Sequence, residues 1–220
     1  MTPRITFEHA LEDLRVSLEE MGEHVENLYE RMFLAIGAGD DTAVRSIMKE
    51  DRVVNDMERQ IEAKCLTLIT KQQPVAKDLR VISASLKIVN DLERIGDQIS
   101  DIGELALRFA GMDIFRYSPH LAAMADAAKE QMRSAVECFL SRDMDAAKDV
   151  IAGDDLIDEL FNKVKSDIVR FLRKGEFPED ECIDTMMIAK YLEKIGDHAV
   201  AVAEWECFQE TGNIRNTRLL

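Results

Sequence analysis

The segment DLERIGDQISD, residues 91–101, returns one hundred residues later as YLEKIGDHAVA, residues 191–201. A glutamate, a glycine and an aspartate stay in register between the two copies. Upstream, GDDTAVRSIMKEDRVVNDME (39–58) aligns with RDMDAAKDVIAGDDLIDELF (142–161) at an offset of 103 residues. Self-similarity of this kind indicates that the chain is a tandem duplication of one structural unit.

Apolar residues recur three and four positions apart along almost the whole chain, which is the spacing of amphipathic α-helices. No stretch shows the alternation or the β-branched enrichment that is typical of a strand. Five segments rich in glycine, proline and polar residues interrupt the pattern and predict six helices joined by short turns. These segments are GAGDD (37–41), KQQP (71–74), GMDIFRYSPH (111–120), LSRD (140–143) and KGEFPED (174–180).

The duplication and the helices together predict an all-α fold of two tandem three-helix bundles. Residues 1–110 would form the first bundle, and residues 119–212 the second, with a shorter first helix. Each unit has an apolar stripe on all three helices, so each could close around its own core; a single six-helix bundle is the alternative. Residues 213–220 lack helical periodicity and are expected to form a tail that is frayed or contacts a partner.

Composition excludes several classes of protein. The net charge of −15 repels phosphodiester backbones, so direct binding of nucleic acid is not expected. The four cysteines form no CxxC pair, which argues against a zinc knuckle and favours reduced thiols in a cytoplasmic protein. No segment has the features of a signal peptide or the roughly 20 apolar residues that span a bilayer. The prediction is a soluble cytoplasmic protein.

Helical angles place a core seam and an acidic stripe on separate sides of the third helix of each unit. In the first unit the seam contains Ile88, Leu92, Ile95, Ile99 and Ile102, and the stripe contains Glu93, Asp97, Asp101 and Glu104. In the second unit Glu193 and Asp197 take the stripe positions, with Ala201 in place of the third acid. The preceding helix of each unit carries oxygen-bearing side chains at the same spacing: Asp51, Asn55 and Glu58, and then Asp154 and Asp158.

Two interpretations of these stripes are open. An acidic stripe opposite a core seam can be an ordinary solvated face, but such a face usually mixes charges, whereas here acids recur at i and i+4 without a base at those positions. Carboxylates one turn apart on neighbouring helices could instead bind a hard or borderline cation such as iron, manganese, zinc or magnesium. Gly96 and Gly196 interrupt good helices, and we expect them to allow a neighbouring helix to approach closely beside the stripe.

The segments LERIGDQ and LEKIGDH, together with DRVVND and DDLIDE, resemble the PhoU family of phosphate-signalling proteins over nearly the whole chain. The resemblance implies an accessory protein of the phosphate-specific ABC transporter that negatively regulates the phosphate-starvation two-component system. Some members of the family bind multinuclear iron or zinc clusters at their E/DxxxD motifs. The implied metal ligands are Glu93, Asp97, Asp101, Glu193 and Asp197, and helical geometry adds Asp51, Asn55, Asp154 and Asp158.

The function that the resemblance implies is that of a regulatory adaptor. Its partners would be the ATPase subunit of the phosphate transporter and a membrane sensor histidine kinase, which would hold it at the inner membrane through protein contacts. A homodimer is expected from the long exposed helices. The sequence has no Gly-rich phosphate loop, GxSxG elbow or CxxC motif, so we expect no enzymatic activity and no organic cofactor.

Two alternatives remain at this point. A carboxylate-bridged di-iron enzyme on a helical bundle would pair glutamates with Glu-x-x-His, a pattern that this sequence does not contain. A helical adaptor without metal would use the acidic residues to contact basic side chains of its partners.

Overall fold

The computed structural model describes residues 3–75, 77–214 and 217–218, which form eight α-helices, two short 3₁₀ helices and one pair of short strands. The first four α-helices are α1 (Pro3–Ala38), α2 (Asp41–Met48), α3 (Asp51–Gln72) and α4 (Lys77–Ala106). The 3₁₀ helices Leu107–Phe109 and Ile114–Tyr117 connect them to α5 (Pro119–Ser141), α6 (Met144–Ala152), α7 (Asp154–Lys174) and α8 (Glu179–Thr211). The strands are β1 (Asn213–Ile214) and β2 (Thr217–Arg218).

The prediction of six helices was wrong, because it overlooked two further breaks, of which only the one at Gly153, followed by two aspartates, carries a signal in the sequence. One break separates α2 from α3 at Glu50 (φ −76°, ψ −12°), and the other separates α6 from α7 at Gly153 (φ −73°, ψ −11°). Both residues keep right-handed helical dihedral angles, so the chain turns without a proline or a left-handed residue to mark the place. The five predicted breaks are all present, and each half contains one additional short helix.

The two halves repeat the same local chemistry. The Asp40 side chain caps α2 by accepting a hydrogen bond from the Ala43 amide, and Asp143 caps α6 at the equivalent position by accepting from the Ala146 amide. Helix α1 has 36 residues and α5 has 23, which confirms the shorter first helix of the second unit. Pro119 begins α5, where its missing N–H leaves no hydrogen bond unmade.

The long helices build two bundles that share one core. Helices α1, α3 and α4 pack together in the first half, and α5, α7 and α8 pack together in the second. Helices α4 and α8 lie against each other across the middle, and α1 also meets α5. A single cluster of buried apolar side chains runs through all of these contacts. The all-α fold of two tandem three-helix bundles is therefore confirmed, while the exact boundaries at residues 110 and 119 stay a prediction.

Helices α4 and α8 are antiparallel. Lys77 at the start of α4 pairs with Glu210 at the end of α8 (3.1 Å), and Arg108, just beyond the end of α4, pairs with Asp184 near the start of α8 (3.0 Å). Each helix therefore presents its motif segment to the middle of the other.

The C-terminal tail contains a small antiparallel pairing. Asn213 lies opposite Arg218 and Ile214 opposite Thr217, so the part of the tail that the structure describes is not simply frayed. The expectation for residues 215, 216, 219 and 220 lies outside the described residues. Among the helices that are described, none combines the length and the apolar character needed to cross a membrane.

Candidate functional site

The first acidic face lies where α3 meets α4, and we define it as Asp51, Asn55, Glu93, Asp97 and Asp101. Spacing of one helical turn places the members of each helix on the same side. The seam predicted for α4 is buried, with every one of its five residues at most 2% exposed. Because that seam fixes the rotation of α4, the acidic residues come to lie at the edge of the bundle, half-buried beside α3.

Gly96 and Gly196 set the distance between the helices, as predicted. A Cβ atom on Gly96 would lie 3.1 Å from Val54 Cγ1 of α3. The equivalent atom on Gly196 would lie 2.8 Å from Ile157 Cδ1 of α7. Both distances are closer than ordinary van der Waals contact, so each half depends on a glycine to bring its two acid-bearing helices together.

Asp97 is the electrostatic centre of the first acidic face. Burial raises the pKa of Asp51, Glu93 and Asp101, and the negative charge of Asp97 raises each of these pKa values further. Glu58 of α3 adds to the effect on Glu93. Carboxylates that repel one another in this way favour any cation or proton that reaches them.

Two oxygens of the first acidic face are buried without a hydrogen-bond donor: Asp51 Oδ1 and Glu93 Oε2. The other oxygen of Asp51, Oδ2, accepts a hydrogen bond from Asn55 Nδ2 (3.1 Å). Glu93 Oε2 has the Arg94 guanidinium 3.5 Å away, which is the length of a weak ion pair rather than a hydrogen bond. A buried carboxylate oxygen without a hydrogen bond destabilises the fold, so these two oxygens are available to bind a cation or to accept a hydrogen bond from a ligand.

Basic side chains lie closer to the acids than the sequence indicated. Arg94 pairs with Asp97 (3.4 Å), Lys194 pairs with Asp197 (2.5 Å), and Lys190 pairs with Glu193. No base interrupts the acids at the i and i+4 positions, as observed in the sequence, but each of these bases precedes its acid by three residues and shares the same helix surface.

The second acidic face is thinner, and we define it as Asp154, Asp158, Glu193 and Asp197, on α7 and α8. Burial raises the pKa of Asp154, and the negative charges of Asp158 and Asp197 raise it further. Both acids of α8 already have lysine partners, and Ala201 leaves the position of the third acid without a carboxylate. The structure thus brings together the predicted residues of each half, but with less uncompensated charge in the second.

The two acidic faces contain the side-chain types of a metal site but do not have the geometry of one. Among the described residues, no three His, Cys, Asp or Glu side chains are positioned so that they could hold one metal ion together. The first face nevertheless supplies the oxygen donors that hard cations prefer, two of them buried and unpaired. The carboxylates of the second face on α8 would first have to leave their lysines. A metal site therefore remains a prediction, and the first face fits it better.

Three residues next to these faces were not predicted from the sequence. Tyr191 of α8 lies close enough to Asp101 of the other half for each to influence the pKa of the other. His198 Nδ1 lies 2.9 Å from Asp91 Oδ1. Gln131 of α5 donates from Nε2 to the Val150 carbonyl (3.1 Å) and lies close enough to Asp154 to offset part of the rise that burial causes in the pKa of that carboxyl. Only Gln131 had a visible signal, because the offset of 103 aligns it with the apolar Leu28.

Comparison with known proteins identifies a family model and relatives that match this chain. The family model described as "PhoU domain" matches the chain twice, over residues 18–106 and 121–205. The "Phosphate-specific transport system accessory protein PhoU homolog" of Clostridium acetobutylicum is 32% identical over 213 residues, covering 96% of this chain and 97% of that relative. A relative from Methanothermobacter thermautotrophicus with the same description, numbered homolog 1, is 30% identical and covers 95% of this chain and 96% of its own.

Two solved structures also match this chain over nearly its whole length. The crystal structure of PhoU from Pseudomonas aeruginosa superimposes with a TM-score of 0.89 at 27% identity, over 94% of this chain and 100% of that one. The phosphate transport system regulatory protein PhoU from Streptococcus pneumoniae has a TM-score of 0.86 at 21% identity, over 96% of this chain and 100% of that one, and supports the fold alone. With two domain matches and relatives that align over nearly its whole length, the chain belongs to the PhoU family.

Proposed function

We propose that this protein is a regulatory adaptor of phosphate homeostasis, which modulates a phosphate-specific ABC transporter and negatively regulates phosphate-starvation signalling. The observation that carries the proposal is the similarity to relatives described as accessory proteins of the phosphate-specific transport system, over 96% of this chain. The partners of the proposed adaptor are the transporter's ATPase subunit and a membrane sensor histidine kinase. The protein would act as a homodimer at the inner membrane.

An adaptor works through surfaces, and the two acidic faces are the most strongly charged candidates. The half-buried carboxylates of the first acidic face lie close together and repel one another. Their combined negative charge attracts basic side chains or metal ions. In either case a positive group relieves the repulsion around Asp97 and links α3 to α4 through a common ligand. Whether a positive group is bound at the first acidic face can therefore influence how tightly α3 packs against α4.

We further propose that the first acidic face binds iron, zinc, manganese or magnesium through Asp51, Asn55, Glu93, Asp97 and Asp101. When bound, such a cation supplies positive charge and can accept an anionic ligand. The contribution of the protein is to hold two buried oxygens without donors and to place the flexible side chain of Arg94 where it can move aside. Asp154, Asp158, Glu193 and Asp197 form the corresponding, weaker site.

The metal-free protein should be a poor receptor for phosphate itself. Its net charge of −15 repels the anion. The proposed signal is therefore a conformational state of the transporter, transmitted by contact. Tight binding of inorganic phosphate to the metal-free protein in a calorimetric titration would contradict this part of the proposal.

The test of the adaptor function is an affinity pull-down of the tagged protein from membranes of its host, solubilised after growth in high and in low phosphate. Mass spectrometry should identify the transporter ATPase or a sensor kinase, with recovery that depends on phosphate. Reversal of charge by Glu93→Lys with Asp97→Lys should abolish this recovery. Glu159→Lys, which reverses an exposed acid paired with Lys163 on the outside of α7, is the matched control and should retain it. Recovery of neither partner by the folded wild-type protein would refute the proposal.

A further inference from the structure

The two halves differ in the side chains at one place in their otherwise similar arrangement of helices. The offset of 103 residues aligns the caps Asp40 and Asp143 and the buried pair Ile47 and Val150. Where the first helix of each half meets the following two helices, four aligned positions change from larger side chains in the first half to smaller or more polar ones in the second. These changes are His24 to Ala127, Leu28 to Gln131, Arg31 to Ser134 and Glu50 to Gly153.

In the first half an internal ion pair occupies this place. Arg31 of α1 binds Glu50 at the start of α3 in bidentate fashion, with Nη2 to Oε1 at 2.6 Å and Nη1 to Oε2 at 2.9 Å. Nη1 also approaches Asn27 Oδ1 at 3.5 Å. Bidentate guanidinium–carboxylate pairs have a specific planar geometry, so this pair holds α1 at a fixed distance from the start of α3. We call the ion pair of Arg31 and Glu50 the strut.

In the second half the same place is an open groove of about 370 Å³ between α5, α6 and α7. Ser134 and Gly153, the counterparts of Arg31 and Glu50, both line it. Its walls are mainly apolar, and Leu156 at its edge is 54% exposed.

The charges along the groove have one sign. Two carboxylates, Glu130 and Asp149, line it, and no lysine or arginine does. Arg133, which is outside the lining, pairs with Glu130 (2.6 Å), so Asp149 carries most of the uncompensated charge. Asp149 aligns with Ser46 of the first half and Glu130 with Asn27, so both are acids that the first half lacks. The second half has therefore lost the arginine and the glutamate of the strut while gaining two acids around the vacated space.

The floor of the groove contains an unpaired acceptor. Gln131 is 8% exposed, and its Oε1 is buried without a hydrogen-bond donor. Its Nε2 donates to the Val150 carbonyl, which fixes the orientation of the amide. Oε1 lies against α8, 3.1 Å from the position of a Cβ atom on Gly196, so the carboxylates are the acceptors that the groove presents at its surface.

We propose that this groove is a docking site for an arginine side chain of a protein partner, presented on an apolar helix. The guanidinium takes the place that Arg31 fills in the first half, and Asp149 supplies the main counter-charge, joined by Glu130 where it shares its carboxylate with the exposed Arg133. The aliphatic stem and the neighbouring apolar residues of the partner helix pack on Val150, Leu156 and Ile157. Arginine fits better than lysine because its planar group is weakly hydrated and packs against apolar surface. The groove shares no residue with either acidic face, although Gly153 precedes Asp154 of the second, and the site goes beyond the proposed function.

The first test uses synthetic helices as probes. One is a short acetylated and amidated alanine–glutamine helix with a central arginine and a leucine one turn away on either side. The second replaces arginine by its neutral isostere citrulline, and the third probe is the acetylated, amidated arginine residue alone. Methyl resonances of Val150, Leu156 and Ile157 should shift on addition of the arginine helix. Its dissociation constant should be lower than that of the citrulline helix by roughly fivefold, as expected for one partly exposed ion pair.

Variants of the groove provide the second test. Ser134→Arg with Gly153→Glu installs the strut of the first half, and the backbone at Gly153 already has the dihedral angles at which Glu50 carries a side chain. This variant should weaken binding of the arginine helix by roughly fivefold or more. The matched control, Asn162→Glu with Ser166→Arg, adds the same two residue types at exposed positions of α7 outside the groove and should bind like wild type.

Several outcomes would overturn the proposal. The citrulline helix could bind as tightly as the arginine helix, or the methyl shifts could centre on the first acidic face instead of the groove. Binding of the lone arginine residue as tight as that of the helix would exclude a protein partner as the occupant. Because all of these measurements use purified protein and defined probes, their failure is distinguishable from failure of the pull-down that tests the adaptor function.

Discussion

His198 Nδ1 of α8 lies 2.9 Å from Asp91 Oδ1 of α4, and this contact joins the two copies of the repeat at the middle of their antiparallel interface. Its counterpart is not the same pair of residues. Tyr191, which aligns with Asp91 at an offset of 100, lies close to Asp101 instead: burial raises the pKa of Tyr191, and the charge of Asp101 raises it further. The two copies therefore use positions 91 and 191 in the interface but pair them with residues at different positions of the repeat, His198 and Asp101.

The contact between Asp91 and His198 should be measurable as a coupling energy. In a double-mutant cycle of Asp91→Ala and His198→Ala, the free energies of unfolding should be non-additive by about 1 kcal/mol, since each single variant leaves a half-buried polar partner unpaired. Urea denaturation of the four proteins gives the value. Asp41→Ala on α2, combined with His198→Ala, is the control and should be additive. Additivity in both cycles would mean that the contact does not stabilise the interface.

Gly96 should be intolerant of a side chain, unlike a glycine without neighbours. Gly96→Leu should destabilise the protein by about 1–3 kcal/mol, because even a Cβ atom would lie 3.1 Å from Val54. Gly37 is also helical but has no atom within 4 Å of the position of a Cβ atom, so Gly37→Leu should leave stability unchanged or raise it by up to about 1 kcal/mol. Thermal unfolding of the two variants checks the difference, and equal effects would contradict the close approach of α3 and α4.

The first acidic face should destabilise the metal-free protein at neutral pH. The pKa values of Asp51, Glu93 and Asp101 are raised in the folded state, so the stability linked to their protonation is present in acid and is lost as the pH rises from the unfolded pKa values through the folded ones. Asp51→Asn with Glu93→Gln should therefore be more stable than wild type at pH 7, by a few tenths of a kcal/mol for each like-charge contact removed. The difference should vanish below about pH 4.

Glu50 provides a control of opposite sign for this pH dependence. The hydrogen bond and charge of Arg31 lower the pKa of Glu50, so its contribution to stability is present above the unfolded pKa and is lost as the pH falls through the folded pKa. Glu50→Gln should be less stable than wild type at pH 7 and equal to it in acid. Unfolding in a chelator-containing buffer at a series of pH values measures both variants, and the same sign for both would refute the assignment.

Glu206 should act as a buried acid that titrates near neutrality. Its side chain is fully buried, Oε2 accepts a hydrogen bond from Gln209 Nε2 (3.2 Å), and burial raises the pKa of Glu206 to about 7. A raised pKa means that its contribution to stability is complete below the unfolded pKa and is lost as the pH rises to about 7. Glu206→Gln keeps an acceptor for Gln209 and should be more stable than wild type at pH 8, by about 3 kcal/mol. At pH 4 the two proteins should be equally stable, and a difference that does not change with pH would exclude this titration.

Metal addition should stabilise the protein through the first acidic face more than through the second. Saturating Mn²⁺ or Zn²⁺ should raise the free energy of unfolding of the wild type, by about 2.7 kcal/mol at a hundredfold excess over the dissociation constant. Asp51→Asn with Glu93→Gln should lose most of this gain, because the negative charges of the two carboxylates with buried unpaired oxygens are removed. Asp154→Asn with Asp158→Asn is the matched control in the second face and should retain most of it. No shift in melting temperature with any of the four proposed metals would argue for the metal-free adaptor.

Much of the architecture was visible in the sequence because it depends on neighbours along the chain. The spacing of apolar residues specified helices, glycine and proline marked five of the breaks, and the two copies of the motif revealed the duplication. The close approach at Gly96 and Gly196 could also be predicted, since a glycine inside a strong helix usually has a packing reason. The break at Glu50 could not, because its backbone remains within the helical region and no glycine or proline marks it, whereas Gly153 before two aspartates was a signal that the prediction did not use.

The candidate sites depended on distances that no local pattern contains. The sequence alone determined that acids recur on one side of α4 and of α8, because a periodicity of 3.6 residues places them there. Only the tertiary structure decided which of those acids face Asp51 and Asp154, which have a lysine or arginine within reach, and that His198 meets Asp91. It also decided that the space filled by Arg31 is open beside Ser134. These outcomes depend on how antiparallel helices rotate and approach one another, which is set by core packing between residues far apart in the chain.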